Sequence, residues 1–182
     1  MTPGAALLVF NGRDGEFRAV IAEAGRKACR LAVAEMTRPQ APAPDVHLLF
    51  APLKHARLDY MVQKAVEMGA GALRPVVTRR TQVARLNLER MQANVIEACE
   101  QCGVLAVPEV RAPAKLGAVV AGWAAEGGRR LIFADEAAET ANPLAVLERL
   151  GPGPVAVLIG PEGGFAPEER AALTRLPEAV TV

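Results

Sequence analysis

From Val46 onward, short apolar runs alternate with stretches of helical period, and this alternation limits the fold more than any other feature of the chain. Val46–Phe50 and Val155–Ile159 are continuously apolar, and residues 73–77, 107–110, 131–134 and 179–182 read as further strands. Runs without a polar alternate suit strands buried on both faces, as in parallel sheets. Between them, residues 54–68 place Leu58, Met61, Val62, Ala65 and Met68 at helical spacing and close on Gly69. Asn87 can cap a helix running to Gln101 and stopped by Gly103, and helices are also predicted over 115–125, 142–150 and 167–175. The fold class expected is α/β, a mainly parallel sheet with helices on both faces.

The first residues follow another pattern. Strands are predicted over 5–10, 16–23 and 28–36, with turns at Asn11-Gly12, Asp14-Gly15 and Gly25. Three short strands make a poor isolated sheet, so they are expected to form part of a small barrel completed by residues this chain lacks. Residues 37–45, TRPQAPAPD, hold three prolines and read as an extended linker. The domains expected are 1–38, a linker over 39–45, and 46–182.

Of the 182 residues 51% are hydrophobic and 23% charged, which excludes a disordered chain. No apolar run approaches the roughly 20 residues of a membrane span. The opening MTPGAALLVF has no basic stretch before its apolar run, unlike a secretory signal. An odd count of 3 cysteines does not make a disulfide framework, so the expected setting is reducing and cytoplasmic. The net charge of +1 hides an asymmetry: residues 1–90 carry +6 and residues 91–182 carry −5. Arg74, Arg79, Arg80, Arg85 and Arg90 share their stretch with one acid, Glu89. Such a cluster is either a solvated face or a grip on a polyanion.

The sharpest motif is VAVLIGPEGGFAPEE, residues 155–169, where a buried strand empties into glycines just before a helix. Glycines there let a ligand approach backbone N–H groups, at the end of a parallel strand where open α/β sheets bind ligands. A tight structural turn is the plainer reading of the same glycines. The motif lacks the Lys-Ser/Thr pair of a phosphate loop and the GxGxxG spacing of a dinucleotide site. Cys99 and Cys102 form a C-x-x-C pair, but in the last turn of a helix, where the dipole disfavours thiolate, and neither histidine stands at ligand spacing from it. A structural role is expected for both, with no metal.

Three blocks, MVQKAVEMGAGALRPVVTRRT, ERMQANVIEACEQCG and LIGPEGGFAPEE, resemble the RsmE-type family of 16S rRNA uracil-N3 methyltransferases, of the SPOUT superfamily. The opening LLVFNGRDGEFRA is similar to the later part of that family's PUA-like barrel. The resemblance implies a partial PUA-like RNA-binding domain over 1–38, a SPOUT domain over 46–182, S-adenosylmethionine as cofactor, and 16S rRNA or the small subunit as partner. It also implies a homodimer and no membrane. Leu158, Ile159, Gly160, Glu162, Gly163 and Gly164 would hold the cofactor, with the loop after Phe133. Arg79, Arg80, Lys64 and Gln101, joined by Arg13, Arg18 and Arg30 of the first domain, would face RNA.

N3 of uridine carries a proton at neutral pH, so methylation needs a base or a stabilised anion. Glu162 and Arg90 are the candidate catalytic residues, and capping of the following helix is the plainer role for Glu162. Two departures from the family are visible. Val104 stands where the family usually has arginine, and the family continues past GPEGGF with a Leu-Gly-x-Arg-Ile-Leu-Arg-x-Glu-Thr-Ala block beyond Val182. The expectation is a chain truncated at both ends, lacking the knot-forming segment, one pocket wall and a dimer face. A non-catalytic RNA-binding module of ribosome assembly and a phosphate-binding α/β enzyme are the alternatives.

Overall fold

Asn11-Gly12 and Asp14-Gly15 turn the chain between Ala6–Phe10 (β1) and Glu16–Ala24 (β2), and Cys29–Arg38 (β3) pairs along the other edge of β2. This antiparallel sheet, order β1-β2-β3, opens the computed structural model, which describes residues 2–83, 85–138 and 142–182. Residues 39–45 form neither helix nor strand. The chain then enters Val46–Phe50 (β4), His55–Glu67 (α1), Ala72–Val77 (β5), Leu88–Cys102 (α2), Glu109–Val110 (β6) and Ala114–Lys115 (β7). Leu116–Ala121 (α3), Arg130–Ala134 (β8), Pro143–Glu148 (α4), Val155–Ile159 (β9), Pro167–Thr174 (α5) and Ala179–Thr181 (β10) follow. The second sheet runs β10-β8-β9-β4-β5-β6, with β7 on β5, and every pairing is parallel.

Adjacent residues of a strand point to opposite faces, and the core divides accordingly. Phe50 and Leu73 pack with Leu58, Val62 and Val66 of α1 and Met91 and Val95 of α2. Leu49, Leu131, Phe133, Ala156 and Leu158 face the other way, against Leu116, Trp123 and Leu173. The mainly parallel sheet with helices on both faces is the expected architecture. α2 begins where Asn87 accepts a hydrogen bond from the Arg90 N–H and closes on Gly103. The single helix expected over 115–125 is instead α3 followed, after Gly122, by a 3-10 turn at Trp123–Glu126. That turn seats the Trp123 indole, which donates to the Arg129 carbonyl at 3.0 Å.

The two sheets meet through Arg38. Its Nε and Nη2 donate to the Glu16 carboxylate at 3.0 and 2.6 Å, and its Nη1 donates to the Gly103 carbonyl at the end of α2 at 3.0 Å. Thr37 adds a hydroxyl donor to Glu16 at 2.6 Å. Held this way, the Glu16 carboxyl drops to about 2, chiefly through Arg38 and then Thr37. Phe10 reaches the α1/α2 core, so the joint has an apolar part as well.

Candidate active site

At their carboxyl ends β8 and β9 open into a cleft of about 630 Å³. Ala134 and Ile159 lie at the strand ends, residues 135–137 and the glycine loop form two sides, and Pro167, Arg170, Ala171 and Thr174 of α5 form a third. Arg80, from the loop after β5, reaches in across the top of the sheet. The volume is in the range of small-molecule sites.

The glycine loop is shaped by its own residues. Pro161 accepts a turn hydrogen bond from the Gly164 N–H at 2.8 Å, and Gly164 has φ +68°, where a side chain is strained. A Cβ at Gly160 would lie 2.4 Å from the Phe165 ring, so the glycine is what lets that ring fold back. Phe165 then meets Phe133 edge to face, centroids 5.0 Å apart. A Cβ at Gly164 would lie 2.9 Å from Glu136 Oε1, so the loops of β8 and β9 touch here. Arg80 Nη1 donates to the Gly163 carbonyl at 2.6 Å and pins the loop from the far side.

The opposite wall is an ion pair. Asp135 accepts from Arg170 Nε and, through Oδ1, from the Ala137 N–H at 3.2 Å, while Arg170 Nη2 donates to the Ala137 carbonyl at 3.0 Å. The cleft thus combines apolar surface, exposed backbone, two carboxylates and two guanidiniums. That set suits a cofactor with a flat ring, hydroxyl groups and charge at one end. Asp135 and Glu136 fall in the loop after Phe133 that the sequence points to, and Phe165 in its GPEGGF motif, but none of them, nor Arg170, is singled out by name. The signal for the first two is their place directly after the strand at 131–134, the position GPEGG holds after β9.

The candidates divide by position. Ile159, Gly160 and Gly164 line the cleft, and Gly163 lies behind it, giving its carbonyl to Arg80. Leu158 is 1% exposed in the core, so it offers the cleft no side chain. Glu162 turns to α1, where it pairs with Arg57, and does not line the cleft. Nor does it cap α5: Glu169 does, because Pro167 sets the first turn and places Glu169 to accept from the Ala166 N–H at 3.0 Å. Ala166 has no side-chain acceptor, so only this half of a capping box exists.

Arg90 stands apart from the cleft at the start of α2, paired with Asp59, which also accepts from Asn94 at 2.8 Å. Arg79 pairs with Glu168 at 3.4 Å, Lys64 with Glu67 at 2.7 Å, Arg13 with Asp14 at 3.0 Å, Arg18 with Glu35 at 2.7 Å and Arg30 with Glu23 at 3.0 Å. Gln101 lies in a groove between α1 and α2. The charge asymmetry of the sequence is partly spent inside the molecule, since Arg57, Arg74 and Arg79 all meet acids of the second half. Cys99 is buried, and burial, with Cys102 and Glu100 nearby, pushes its thiol up to about 11. Val104 packs at the edge of the α1/α2 core.

The amino ends of the same strands carry a second charged group. Arg74 donates to Glu126 at 2.7 Å and approaches His47 Nδ1 at 3.3 Å, and Arg129 pairs with Asp45 at 2.7 Å. His47 is 9% exposed, and burial, then Arg129, Arg111 and Arg74, lower its pKa against the opposing pull of Asp45. Among the described residues no group of three or more His, Cys, Asp or Glu is placed to hold a metal, and no helix is long and apolar enough to cross a membrane.

A parallel sheet with a cleft at its strand ends is shared by many α/β proteins, and the class of this one is shown by the RNA methyltransferase domain family, whose profile matches residues 39–182. The RNA methyltransferase PUA domain matches residues 1–33. The chain belongs to the ribosomal RNA small subunit methyltransferase E family. It is 27% identical over 164 residues to the family's protein from Rickettsia conorii, covering 90% of this chain and 66% of the relative. With the protein from Mycobacterium tuberculosis identity is 30% over 191 residues, covering 94% and 68%. A methyltransferase structure from Legionella pneumophila with bound SAM matches at TM-score 0.84 and 29% identity, over 100% of this chain and 75% of that one. The chain spans 55% to 68% of the length of the curated relatives it matches.

Proposed function

We propose that this chain binds S-adenosylmethionine in the cleft at the ends of β8 and β9 and methylates N3 of a uridine in 16S rRNA. The observation that carries the reading is the junction of two strand-end loops over one cleft, with Gly164 against Glu136 and Arg80 on Gly163. A relative of similar fold is solved with SAM bound, and the named relatives are small-subunit rRNA methyltransferases.

When bound, the cofactor supplies a methyl group already activated by its sulfonium. The chain's own residues do the rest. Ile159 and Phe165 would give a flat ring an apolar seat, and the backbone of Gly160 and residues 134–137 would offer hydrogen bonds to its edge. Asp135 and Glu136 give the ribose hydroxyls acceptors and balance positive charge. Glu136 has no ion-pair partner among the described residues, and it takes the N3 proton directly or through one water. Arg80 stabilises the anion that develops on the base. The reading carries with it a homodimer and a cytoplasmic setting, in which the three thiols stay reduced.

Calorimetric titration of S-adenosylmethionine is the first test. The chain should bind it, Gly164→Val should abolish binding, and Asp135→Asn should weaken it about tenfold. Digestion and mass spectrometry of 16S rRNA treated with the protein should then show N3-methyluridine. Absence of cofactor binding by this chain and by a version continued through the Leu-Gly-x-Arg-Ile-Leu-Arg-x-Glu-Thr-Ala block sinks the reading, and methylation at C5 or a 2′-hydroxyl sinks its regiochemistry.

A further inference from the structure

Three depressions lead away from the cleft. The first shares Arg80 and Pro161 with it, the next shares Leu53, Lys54 and Val83 with the first, and the last shares Asp59 with the second. Lys54, Arg80, Arg85 and Arg90 border this track. Of the acids along it, Asp59 is bound by Arg90 and Asn94 and Glu162 by Arg57, and Glu97 stands at its far end. The track ends in a groove of about 230 Å³ between α1 and α2.

Gln63, Asn94 and Gln101 present carboxamides there beside Glu97. Among the described residues the side chains of Gln63 and Gln101 have no hydrogen-bond partner in the protein. Tyr60 stands at the rim, 64% exposed, and Lys64 Nζ lies 5.6 Å from its ring centroid. An exposed aromatic ring for stacking, amides offering donor and acceptor together, and a cation over one face of that ring, paired with Glu67, are the groups an unpaired base with its phosphate meets in proteins.

We infer that the groove between α1 and α2 holds an unpaired nucleobase of the substrate RNA, stacked on Tyr60 and read by Gln63 and Gln101, while the flanking backbone follows the track past Lys54 and Arg85 to the cleft. This rests on the rRNA reading above and adds a second base site to it. The groove fixes which part of a single strand is presented, and Arg80 joins the track to the cleft.

The test uses the full chain and a single-stranded RNA of about 12 nucleotides carrying 2-aminopurine. Wild-type protein should quench the probe as the base stacks. Tyr60→Leu should abolish the quench, and Tyr60→Leu and Gln63→Ala/Gln101→Ala should each weaken binding roughly tenfold with the salt slope unchanged. Lys54→Ala and Arg85→Ala should instead reduce that slope by about one each. All these side chains are exposed or at the surface, and thermal melts and cofactor calorimetry of the variants should match wild type.

Unchanged affinity and quench in the Tyr60 and Gln63/Gln101 variants would overturn the inference while leaving the function intact. A change of oligomeric state in sedimentation, with RNA binding untouched, would overturn it in favour of an interface between copies. Cofactor binding without any RNA binding would remove the groove together with the RNA substrate. RNA binding with the quench but without cofactor binding would keep the groove and remove the methyltransferase.

Discussion

Glu169 holds the backbone of Arg79. Its Oε1 accepts from the Arg79 N–H at 2.8 Å, while Oε2 takes the Ala166 N–H that opens α5. One carboxylate therefore joins the loop after β5 to the helix after β9, and the glycine loop lies between these two fixed points. Glu169→Ala should cost about 1–3 kcal/mol of stability, the range for losing charged hydrogen bonds at a helix start. Cofactor affinity should fall several-fold as well, and denaturant melts with calorimetry would separate the two effects.

Gly160 and Phe165 should prove coupled. Gly160→Ala pushes a methyl group into the Phe165 ring, which must leave Phe133, at a cost of about 1–3 kcal/mol. In a Phe165→Ala background the same substitution should cost much less. A double-mutant cycle on unfolding free energies checks this, and additive costs would mean that the ring and the glycine do not compete for space.

Acid should loosen the amino-end charge group first through His47. Its folded pKa lies below the ordinary 6.5, so the unfolded chain binds the proton more readily. The stability this neutral imidazole contributes is whole above that value and is lost as pH falls through it towards the lower folded pKa. Urea unfolding at about pH 5 and about pH 7.5 should show a drop that His47→Asn reduces.

A second acid step belongs to Glu16. Its carboxyl sits at about 2 in the folded chain against 4.5 ordinarily, so its contribution is present above 4.5 and fades as pH falls towards 2. Glu16→Gln should remove this step and raise the proteolytic sensitivity of residues 39–45. Limited proteolysis across a pH series would show both.

Much of this architecture was legible because its causes are local. Apolar runs and helical spacing mark β4, β9, α1 and α2 directly, and Asn87 and Gly103 mark both ends of α2. The 3-10 turn was not legible, because what bends it is the seat of Trp123 against Arg129, fixed only by packing. Within the glycine motif Gly160 and Gly164 reach the cleft, but Gly163 and the acid Glu162 do not. Glu162 and Glu169 are equally plausible caps by composition, and only the start of α5 at Pro167 separates them. The arginines were the least legible. Arg57 finds Glu162 across 105 positions and Arg90 finds Asp59 across 31, distances over which no spacing rule operates. Asp135 and Arg170 are a wall for the same reason, 35 residues apart in the chain.

Arg38 has a consequence for how large ligands are met. Because one guanidinium spans the β2/β3 sheet and the end of α2, the angle between the small sheet and the large one is set in the free protein. Under the proposed rRNA reading, a strand laid across both would find its two footholds already in register, and the entropy of aligning them would be settled when the chain folds. Loosening that joint would leave each foothold intact and still weaken the grip of the pair, through a lowered effective concentration of one for the other.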